Sequence, residues 1–277
     1  MLNVLQTQLY RLKKSKLFWA LFIVCGVLPL IGMLFTTALL SVLSDVFSGD
    51  SFVIFDSLRA EGGRMTLSAL GGLTSLGSNP ALFSLICSSI FLSGEFSGGA
   101  IRNMVLANKS RTQIFLSFLS VSLIIGFSYL GVAYLSTLTF YGIAMGFGGV
   151  TAQAALSGCF STLFLGLISI ALVQSCVCLF LFVTRKTGPT VAFPLLIMIL
   201  APSLISTVVD IITGVKILVG QGVSQTALSW IPLYNMDLFS ASSVDGAIIG
   251  KIVLYNVPLA ALLSTLAWLA IDKADLK

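Results

Sequence analysis

Long uncharged apolar stretches, separated by short charged or glycine-rich segments, make up most of the chain. A helix that crosses about 30 Å of hydrocarbon needs roughly 20 apolar residues with few charges, and several stretches meet that requirement. The predicted fold class is therefore all-α, a polytopic membrane protein whose residues 1–277 form one transmembrane domain. We expect six membrane-spanning helices, at about residues 17–42, 80–96, 113–140, 158–183, 190–211 and 249–271.

Glycine, proline and charge mark the breaks between these spans. The second span starts near Pro80, because proline is tolerated in the first turn of a helix. The glycine-rich stretch 142–158 separates the third span from the fourth, and the charged turn 185–189 precedes the fifth. Residues 217–236 are also uncharged, but their glutamines, glycines and proline favour short interfacial or re-entrant helices. A seventh span is the alternative for this stretch.

The distribution of charge predicts the orientation in the membrane. Lys and Arg prevail in the cytoplasmic segments of membrane proteins. If the N-terminus is inside, most of the 15 Lys and Arg residues fall in inner segments and most of the acidic residues fall in outer segments. We therefore place both termini in the cytoplasm, and the long connections 45–79 and 212–248 on the outside.

The first 16 residues carry a second pattern. Leucines recur at helical spacing and basic residues follow them, which predicts an interfacial helix over residues 1–16 that lies on the inner membrane surface. A basic N-terminus that only directs insertion is the alternative. The leucines of this stripe are Leu2, Leu5, Leu9 and Leu12.

Composition narrows the class of function. Hydrophobic residues make up 57% of the chain and charged residues 9%, whereas a soluble domain carries about 25% charged residues, so a soluble protein is excluded. The chain contains no His, which excludes Ser-His-Asp and Cys-His nucleophiles and HExxH zinc sites. The 5 cysteines lie in apolar stretches and are expected to be free buried thiols. No metal site is expected.

The chain also lacks a means of driving transport by itself. It has no GxxxxGK[ST] phosphate loop, and its spans lack the buried charges that proton- or sodium-driven carriers use. Together with the family resemblance given below, these features agree best with a conduit opened by a separate motor protein. A stand-alone channel or secondary carrier is the alternative, and an intramembrane enzyme is disfavoured because no pair of intramembrane aspartates is present. The few basic residues sit at the membrane edge, so nucleic-acid binding is not expected.

The segment after the second span has the pattern of a docking element. Glu95 stands where that span ends, and Gly98-Gly99 permits a sharp turn. Residues 100–107 then supply about two helical turns, with Ile101, Met104 and Val105 on one face. A short helix with an apolar face at the membrane surface is suited to contact a partner protein. A plain polar connector is the alternative.

Gly94–Phe115, GEFSGGAIRNMVLANKSRTQIF, resembles the segment after the second span in permease subunits of type-2 ATP-binding-cassette (ABC) exporters. In that family an acidic residue, Phe and small residues lead into a TIRN-like helix, and a re-entry containing Arg follows. Ala100 stands here where Thr is common, and Phe118 stands where a basic residue often follows the re-entry. The resemblance implies that segment 97–111 contains a coupling helix, which seats in a cleft of an ATP-binding subunit.

The resemblance also implies which residues contact that subunit and what the complex contains. The chain itself would bind no cofactor and would not be an enzyme, since ATP and Mg²⁺ would bind to the partner subunit. Two permeases, identical or paralogous, would work with two ATP-binding subunits in the cell membrane and export a cargo such as an antimicrobial peptide or a drug. The contact residues would be Glu95, Ala100, Ile101, Arg102, Asn103, Met104 and Val105.

Glu95 has three expected environments: an ion pair with Arg102, contact with the ATP-binding subunit, or solvent at the membrane surface. Gly94/Gly98 and Gly142/Gly146 have the GxxxG spacing that allows close helix approach, and Gly126 and Gly131 lie nearby. Gln174 is expected either to line a substrate path or to hydrogen-bond a neighbouring helix. The prolines predict kinks, because each removes a backbone hydrogen bond. The candidates for a translocation path or gate are Gln174, Pro194, Pro202, Asn256 and Pro258.

Overall fold

The computed structural model describes residues 2–46, 78–98, 104, 110–145, 152–198 and 246–273. In this part of the chain the regular structure consists of 7 helices without a strand, so the all-α prediction is confirmed for it. The helices are α1 (Leu2–Lys14), α2 (Lys16–Val46), α3 (Ser78–Ser97), α4 (Arg111–Met145), α5 (Ala152–Thr184), α6 (Thr187–Met198) and α7 (Gly246–Asp272).

Three of these helices contain segments long and apolar enough to cross a membrane: Arg111–Phe140, Leu163–Thr184 and Val253–Asp272. Val4–Lys14 and Lys16–Gly32 meet the same criteria as a pair bent by 65°, which brings the number of candidate spans among the described residues to four.

Helices α3 and α6 contribute shorter apolar helices, Pro80–Phe96 and Thr187–Met198. The rest of the predicted fifth span, including Pro202, lies outside the described residues, as does most of the two predicted outer segments. The same is true of 217–236, where a seventh span was the alternative.

The bend between α1 and α2 follows from the chemistry of Ser15. The backbone N–H of Ser15 donates to the carbonyl of Leu12 at 3.0 Å, which closes the last turn of α1. The Ser15 Oγ atom then accepts a hydrogen bond from the Phe18 backbone N–H at 3.4 Å. A serine hydroxyl in this position satisfies one of the free N–H groups at a helix start, so α2 begins in a new direction.

Contacts between side chains give the relative directions of the long helices. Gly126 of α4 faces Ile170 of α5, and Leu130 faces Gly166, so residue numbers rise along α4 as they fall along α5. The indole N–H of Trp268, near the end of α7, donates to Thr112 Oγ1 at the start of α4 at 3.3 Å. Helices α5 and α7 therefore run parallel to each other and antiparallel to α4.

Helix α3 runs in the same direction as α5. Near the end of α3, Phe96 packs edge-on against Phe118 of α4 and Phe182 of α5, with ring centroids 5.9 and 5.7 Å apart. The end of α3 therefore meets the end of α5 and the start of α4. We call this the charged end of the bundle, because most described basic residues lie there: Arg11, Lys13, Lys14, Lys16, Arg111, Arg185, Lys186 and Lys273.

A buried tyrosine joins α2 to α4 within the apolar core. Tyr129 is fully buried, and its hydroxyl donates to the Phe18 carbonyl at 2.9 Å. Its ring also packs edge-on against Phe18 and Phe22, with centroids 5.7 and 5.8 Å away. A buried tyrosine needs a partner for its hydroxyl, and this carbonyl provides it. The start of α2 is thereby held against the middle of α4.

The turn from α5 to α6 lies at the charged end. Arg185 adopts a φ of 54°, the left-handed conformation in which many helices end. Helix α6 then reverses direction and packs on its neighbours. Thr190 of α6 lies 3.1 Å from Thr184 between hydroxyl oxygens, and its carbonyl accepts a hydrogen bond from the Ser89 hydroxyl of α3 at 3.2 Å.

Candidate functional site

An ion pair between α1 and α3 dominates the charged end. Arg11 Nη1 donates to Glu95 Oε2 at 2.5 Å. The Glu95 side chain is 3% exposed, whereas that of Arg11 is 49% exposed. A carboxylate taken out of water needs a compensating partner, and the guanidinium supplies both the charge and the hydrogen bond. The pair links the N-terminal helix to the residue that precedes the predicted coupling segment.

The buried face of α1 positions Arg11 for this contact. Val4, Gln8 and Leu12, spaced four residues apart, are buried, and Leu5 and Leu9 are half-buried against the same core. Residues at this spacing share one face of a helix. The predicted leucine stripe thus faces the bundle at the three positions whose side chains are described, while Arg11 lies at the edge of that face.

Gln8 is an unusual member of this face. It is fully buried, and both polar atoms of its amide lack a hydrogen-bond partner in the described part of the chain. An unsatisfied buried polar group costs about 1–3 kcal/mol. Gln8 lies one helical turn before Arg11, so this cost falls directly beside the ion pair with Glu95.

The predicted coupling segment is described only at its edges and at one position within it. Met104 is helical and half-buried, and it packs against the apolar core that includes α3 and α4. The other predicted contact positions of the segment lie outside the described residues: Ala100, Ile101, Arg102, Asn103 and Val105.

Inside the bundle, a cluster of three polar side chains connects three helices. Gln174 of α5 is fully buried, and its Nε2 donates to Ser84 Oγ of α3 at 3.0 Å. The hydroxyl of Ser122 in α4 donates to Gln174 Oε1 at 2.6 Å. We call Ser84, Ser122 and Gln174 the Gln174 cluster. Both ends of the amide are engaged, so the cluster forms a polar junction between α3, α4 and α5.

Replacing Gln174 with leucine is expected to destabilise the protein by about 1–2 kcal/mol, because two interhelical hydrogen bonds are lost and each contributes roughly 0.6–1.7 kcal/mol in a membrane bundle. Thermal unfolding of the purified protein in lipid nanodiscs measures this. Ser128→Ala is the control, since the Ser128 hydroxyl bonds only to the Ile124 carbonyl of its own helix. If Gln174→Leu unfolds at the same temperature as Ser128→Ala, the junction makes no net contribution.

A second polar seam lies between α5 and α7. The Ser264 hydroxyl donates to Ser175 Oγ at 3.1 Å. Two helical turns before Ser264, Asn256 is fully buried, and neither its amide nitrogen nor its amide oxygen has a partner among the described residues. The buried hydroxyl of Ser169 in α5 is likewise unpartnered there. Since α5 and α7 run parallel, the register places Asn256 and Ser169 within about 3 Å along the helix axis.

The predicted gate prolines occupy different environments. Pro194 is buried in α6, whereas Pro258 is exposed in the middle of α7, two residues after Asn256. Pro258 has no N–H to donate within α7, so the helix is weakened close to the unsatisfied amide. Asn256 and Pro258 are already neighbours in the sequence of α7, and the structure places Gln174 in a separate cluster.

The Arg11–Glu95 pair is the feature that the sequence pattern missed. Arg102 is only seven residues from Glu95 and was the obvious intrachain candidate, whereas Arg11 lies 84 residues away. The leucine stripe predicted a helix that lies on the inner membrane surface. It contained no signal that this face packs against the bundle or that Arg11 reaches Glu95.

Comparison with known proteins assigns the chain to a family. A family model described as ABC-2 family transporter protein matches residues 4–202. The chain belongs to the ABC-2 transporter family. The match runs from α1 through α6 and includes the whole segment after α3, so the resemblance found in 94–115 is confirmed over most of the chain. Helix α7 lies beyond the matched residues. No curated protein matches the chain.

Membership of the ABC-2 family, together with the apolar helices, indicates a multi-pass membrane protein that acts as a component of an ABC transporter. Proteins of this family are the membrane part of the transporter and are not themselves catalytic. The ion pair, the Gln174 cluster and the polar seam between α5 and α7 are therefore features of a transport protein.

Proposed function

We propose that this chain is the membrane-spanning permease subunit of an ATP-driven ABC exporter, which forms the translocation path and couples to a separate ATP-binding subunit. The family match over 4–202 is the observation that carries the proposal. ATP and Mg²⁺ bind to the partner subunit, which performs the hydrolysis. A second permease, identical or paralogous, completes the complex.

The proposed contact with the ATP-binding subunit is made by residues 100–105, within coupling segment 97–111, while the buried Glu95 supports that segment through its pair with Arg11. This segment follows directly on α3, and α3 ends beside Glu95. The ion pair with Arg11 joins α3 to α1, and α1 continues through Ser15 into α2. A displacement of the coupling segment by nucleotide-driven closure is therefore transmitted to two helices, through the covalent connection to α3 and through the ion pair to α1.

The proposed path runs through uncharged walls. Among the described residues, the polar groups inside the bundle are hydroxyls and amides, such as those of Gln174 and Asn256, while the charged side chains cluster mainly at one end. The unsatisfied amide of Asn256 in α7, two residues before Pro258, provides hydrogen-bonding capacity where that helix is weakened. Such a path suits an amphipathic or hydrophobic cargo, of which an antimicrobial peptide is an example.

The proposed topology has six spans with both termini in the cytoplasm of a cell-membrane protein. The concentration of Lys and Arg at the charged end supports this orientation, because basic residues prevail on the cytoplasmic side. Coupling segment 97–111 then faces the cytoplasm, where an ATP-binding subunit can reach it.

Arg102→Glu and Ile101→Asp are each expected to abolish assembly with the ATP-binding subunit, because one reverses a charge and the other places a charge on the apolar face of the docking helix. The wild-type complex is purified through the permease, and the partner is recognised by its GxxxxGK[ST] phosphate loop. Retention of that subunit on each variant is then measured, together with the ATP hydrolysis of the purified complex.

Lys273→Glu is the matched control for the charge reversal, because Lys273 is exposed at the same end of the bundle; this variant should retain the ATP-binding subunit. Full assembly and ATP hydrolysis in both Arg102→Glu and Ile101→Asp contradict the docking assignment. The docking assignment is also contradicted if a Ser110→Cys variant reacts with a membrane-impermeant maleimide only from outside intact cells. Gradient-driven transport in vesicles without any ATPase points instead to a secondary carrier.

A further inference from the structure

Three lysines and two aromatic side chains form a basic elbow where α1 turns into α2. The basic elbow consists of Tyr10, Lys13, Lys14, Lys16 and Trp19, all of them exposed. Tyr10 is 59% exposed and Trp19 45% exposed, and these large amphipathic rings suit a membrane interface.

The aromatic residues of the basic elbow are held in fixed positions. The indole N–H of Trp19 donates to the Lys13 carbonyl at 2.8 Å, which satisfies one of the free carbonyl groups at the end of α1. Lys14 Nζ lies 4.6 Å from the centre of the Tyr10 ring, a cation–π contact. Tryptophan and tyrosine rings concentrate at the level of the lipid headgroups, so the basic elbow lies at that level when α2 enters the hydrocarbon.

The lysines of the basic elbow are not neutralised within the described part of the chain. Glu95, the acidic residue that α1 contacts, is already paired with Arg11. The other described acid at the charged end, Asp272, lies on α7 beside Arg111, whose guanidinium donates to the Asp272 carbonyl. Three ammonium groups at headgroup level, with no acidic partner among the described residues, attract a negatively charged group.

We propose that the basic elbow binds the headgroup of an anionic phospholipid. Lys13, Lys14 and Lys16 contact the phosphate, while Trp19 and Tyr10 lie at the boundary between headgroup and acyl chain. The positive charge of the three lysines complements the negative phosphate of an anionic phospholipid. Such a lipid is a constituent of the membrane at this depth. Because α1 also carries Arg11, the bound lipid stabilises the position from which Arg11 reaches Glu95. The site does not depend on the proposed ATP-driven export.

Lys14→Gln/Lys16→Gln is expected to weaken retention of phosphatidylglycerol by about fivefold per lysine removed. The purified full-length protein is titrated with dioleoyl phosphatidylglycerol in detergent micelles, and bound lipid is counted by native mass spectrometry. Phosphatidylcholine, which carries no net charge, should bind at least an order of magnitude more weakly to the unmodified protein. Thermal unfolding of the variant in phosphatidylcholine nanodiscs, expected to be unchanged, shows that the variant is folded.

Lys186→Gln/Lys273→Gln removes the same charge from the same end of the bundle, outside the basic elbow, and is expected to retain phosphatidylglycerol as the unmodified protein does. If both double variants lose the same amount of bound phosphatidylglycerol, the proposal is overturned. Binding would then reflect a general attraction between the charged end and anionic lipid. Equal binding of phosphatidylcholine also overturns it. Competition by inorganic phosphate at the concentration of the lipid headgroup overturns the assignment to a lipid.

Discussion

Arg11→Gln is expected to lower the free energy of unfolding by about 2–3 kcal/mol, the largest effect of any single charge removal at this end of the bundle. The variant leaves the carboxylate of Glu95 buried without its cation, and removal of one partner of a buried pair costs about 3–5 kcal/mol. We expect a value below that range because the Arg11 side chain is half-exposed. Chemical or thermal unfolding in nanodiscs measures the change.

The converse substitution should be milder. Glu95→Gln leaves a half-exposed guanidinium that water solvates, and the new amide oxygen still accepts a hydrogen bond from it. The double variant Arg11→Gln/Glu95→Gln should recover most of the stability lost in Arg11→Gln, since no buried charge remains. Lys186→Gln, an exposed cation at the same end, is the control and should have no effect. If Glu95→Gln costs as much as Arg11→Gln, burial of the carboxylate is not the cause.

Gly126→Ala is expected to destabilise the protein by about 1–3 kcal/mol through overpacking between α4 and α5. An added Cβ would lie 2.4 Å from Cγ2 of Ile170 and 3.2 Å from both Cγ and Nε2 of Gln174. Ile170 cannot move aside easily, because a β-branched side chain in a helix has one strongly preferred rotamer. A displacement of Gln174 also weakens its hydrogen bonds to Ser84 and Ser122, because their distances and angles become less favourable. The shift in unfolding temperature measures this.

Gly131→Ala is the matched control on the same helix, since nothing lies within 4 Å of a Cβ at that position. Its expected effect is neutral or slightly stabilising, because alanine favours a helix over glycine by about 1 kcal/mol. Ile170→Ala removes the atom that clashes, so the double variant Gly126→Ala/Ile170→Ala should be more stable than the sum of the two single changes predicts. Additive costs would show that Gly126 and Ile170 do not meet.

The Arg11–Glu95 pair and the contact between Gly126 and Ile170 show which features the sequence could predict and which it could not. The motif around Glu95 indicated the family and the coupling segment, and the family match over 4–202 confirms the former. The pattern considered Arg102 as an ionic partner within the chain. The structure shows Arg11 paired with Glu95, and Arg102 lies outside the described residues. The pattern did not distinguish Gly126 from Gly131, whereas in the structure Gly126 meets a neighbouring helix closely and Gly131 does not.

Gln174 shows that the sequence did not identify the hydrogen-bond partners of a polar residue either. Its position in an apolar span predicted that the amide either lines a path or bonds to another helix. The structure shows bonds to Ser84 and Ser122, which are 90 and 52 residues away. A role of Gln174, Pro194 or Asn256 in translocation stays a prediction, as does the contact of residues 100–105 with an ATP-binding subunit.

The sequence by itself determined that this protein is a helical membrane protein of the ABC-2 family, because apolar length and local motifs are properties of contiguous residues. Only the tertiary structure decided which helices meet. It placed Arg11 beside Glu95, closed the Gln174 cluster, and distinguished Gly126 from Gly131. The reason is physical: an apolar helix presents nearly uniform faces along its length, so the choice of neighbour depends on the shapes and hydrogen-bonding groups of several distant segments at once.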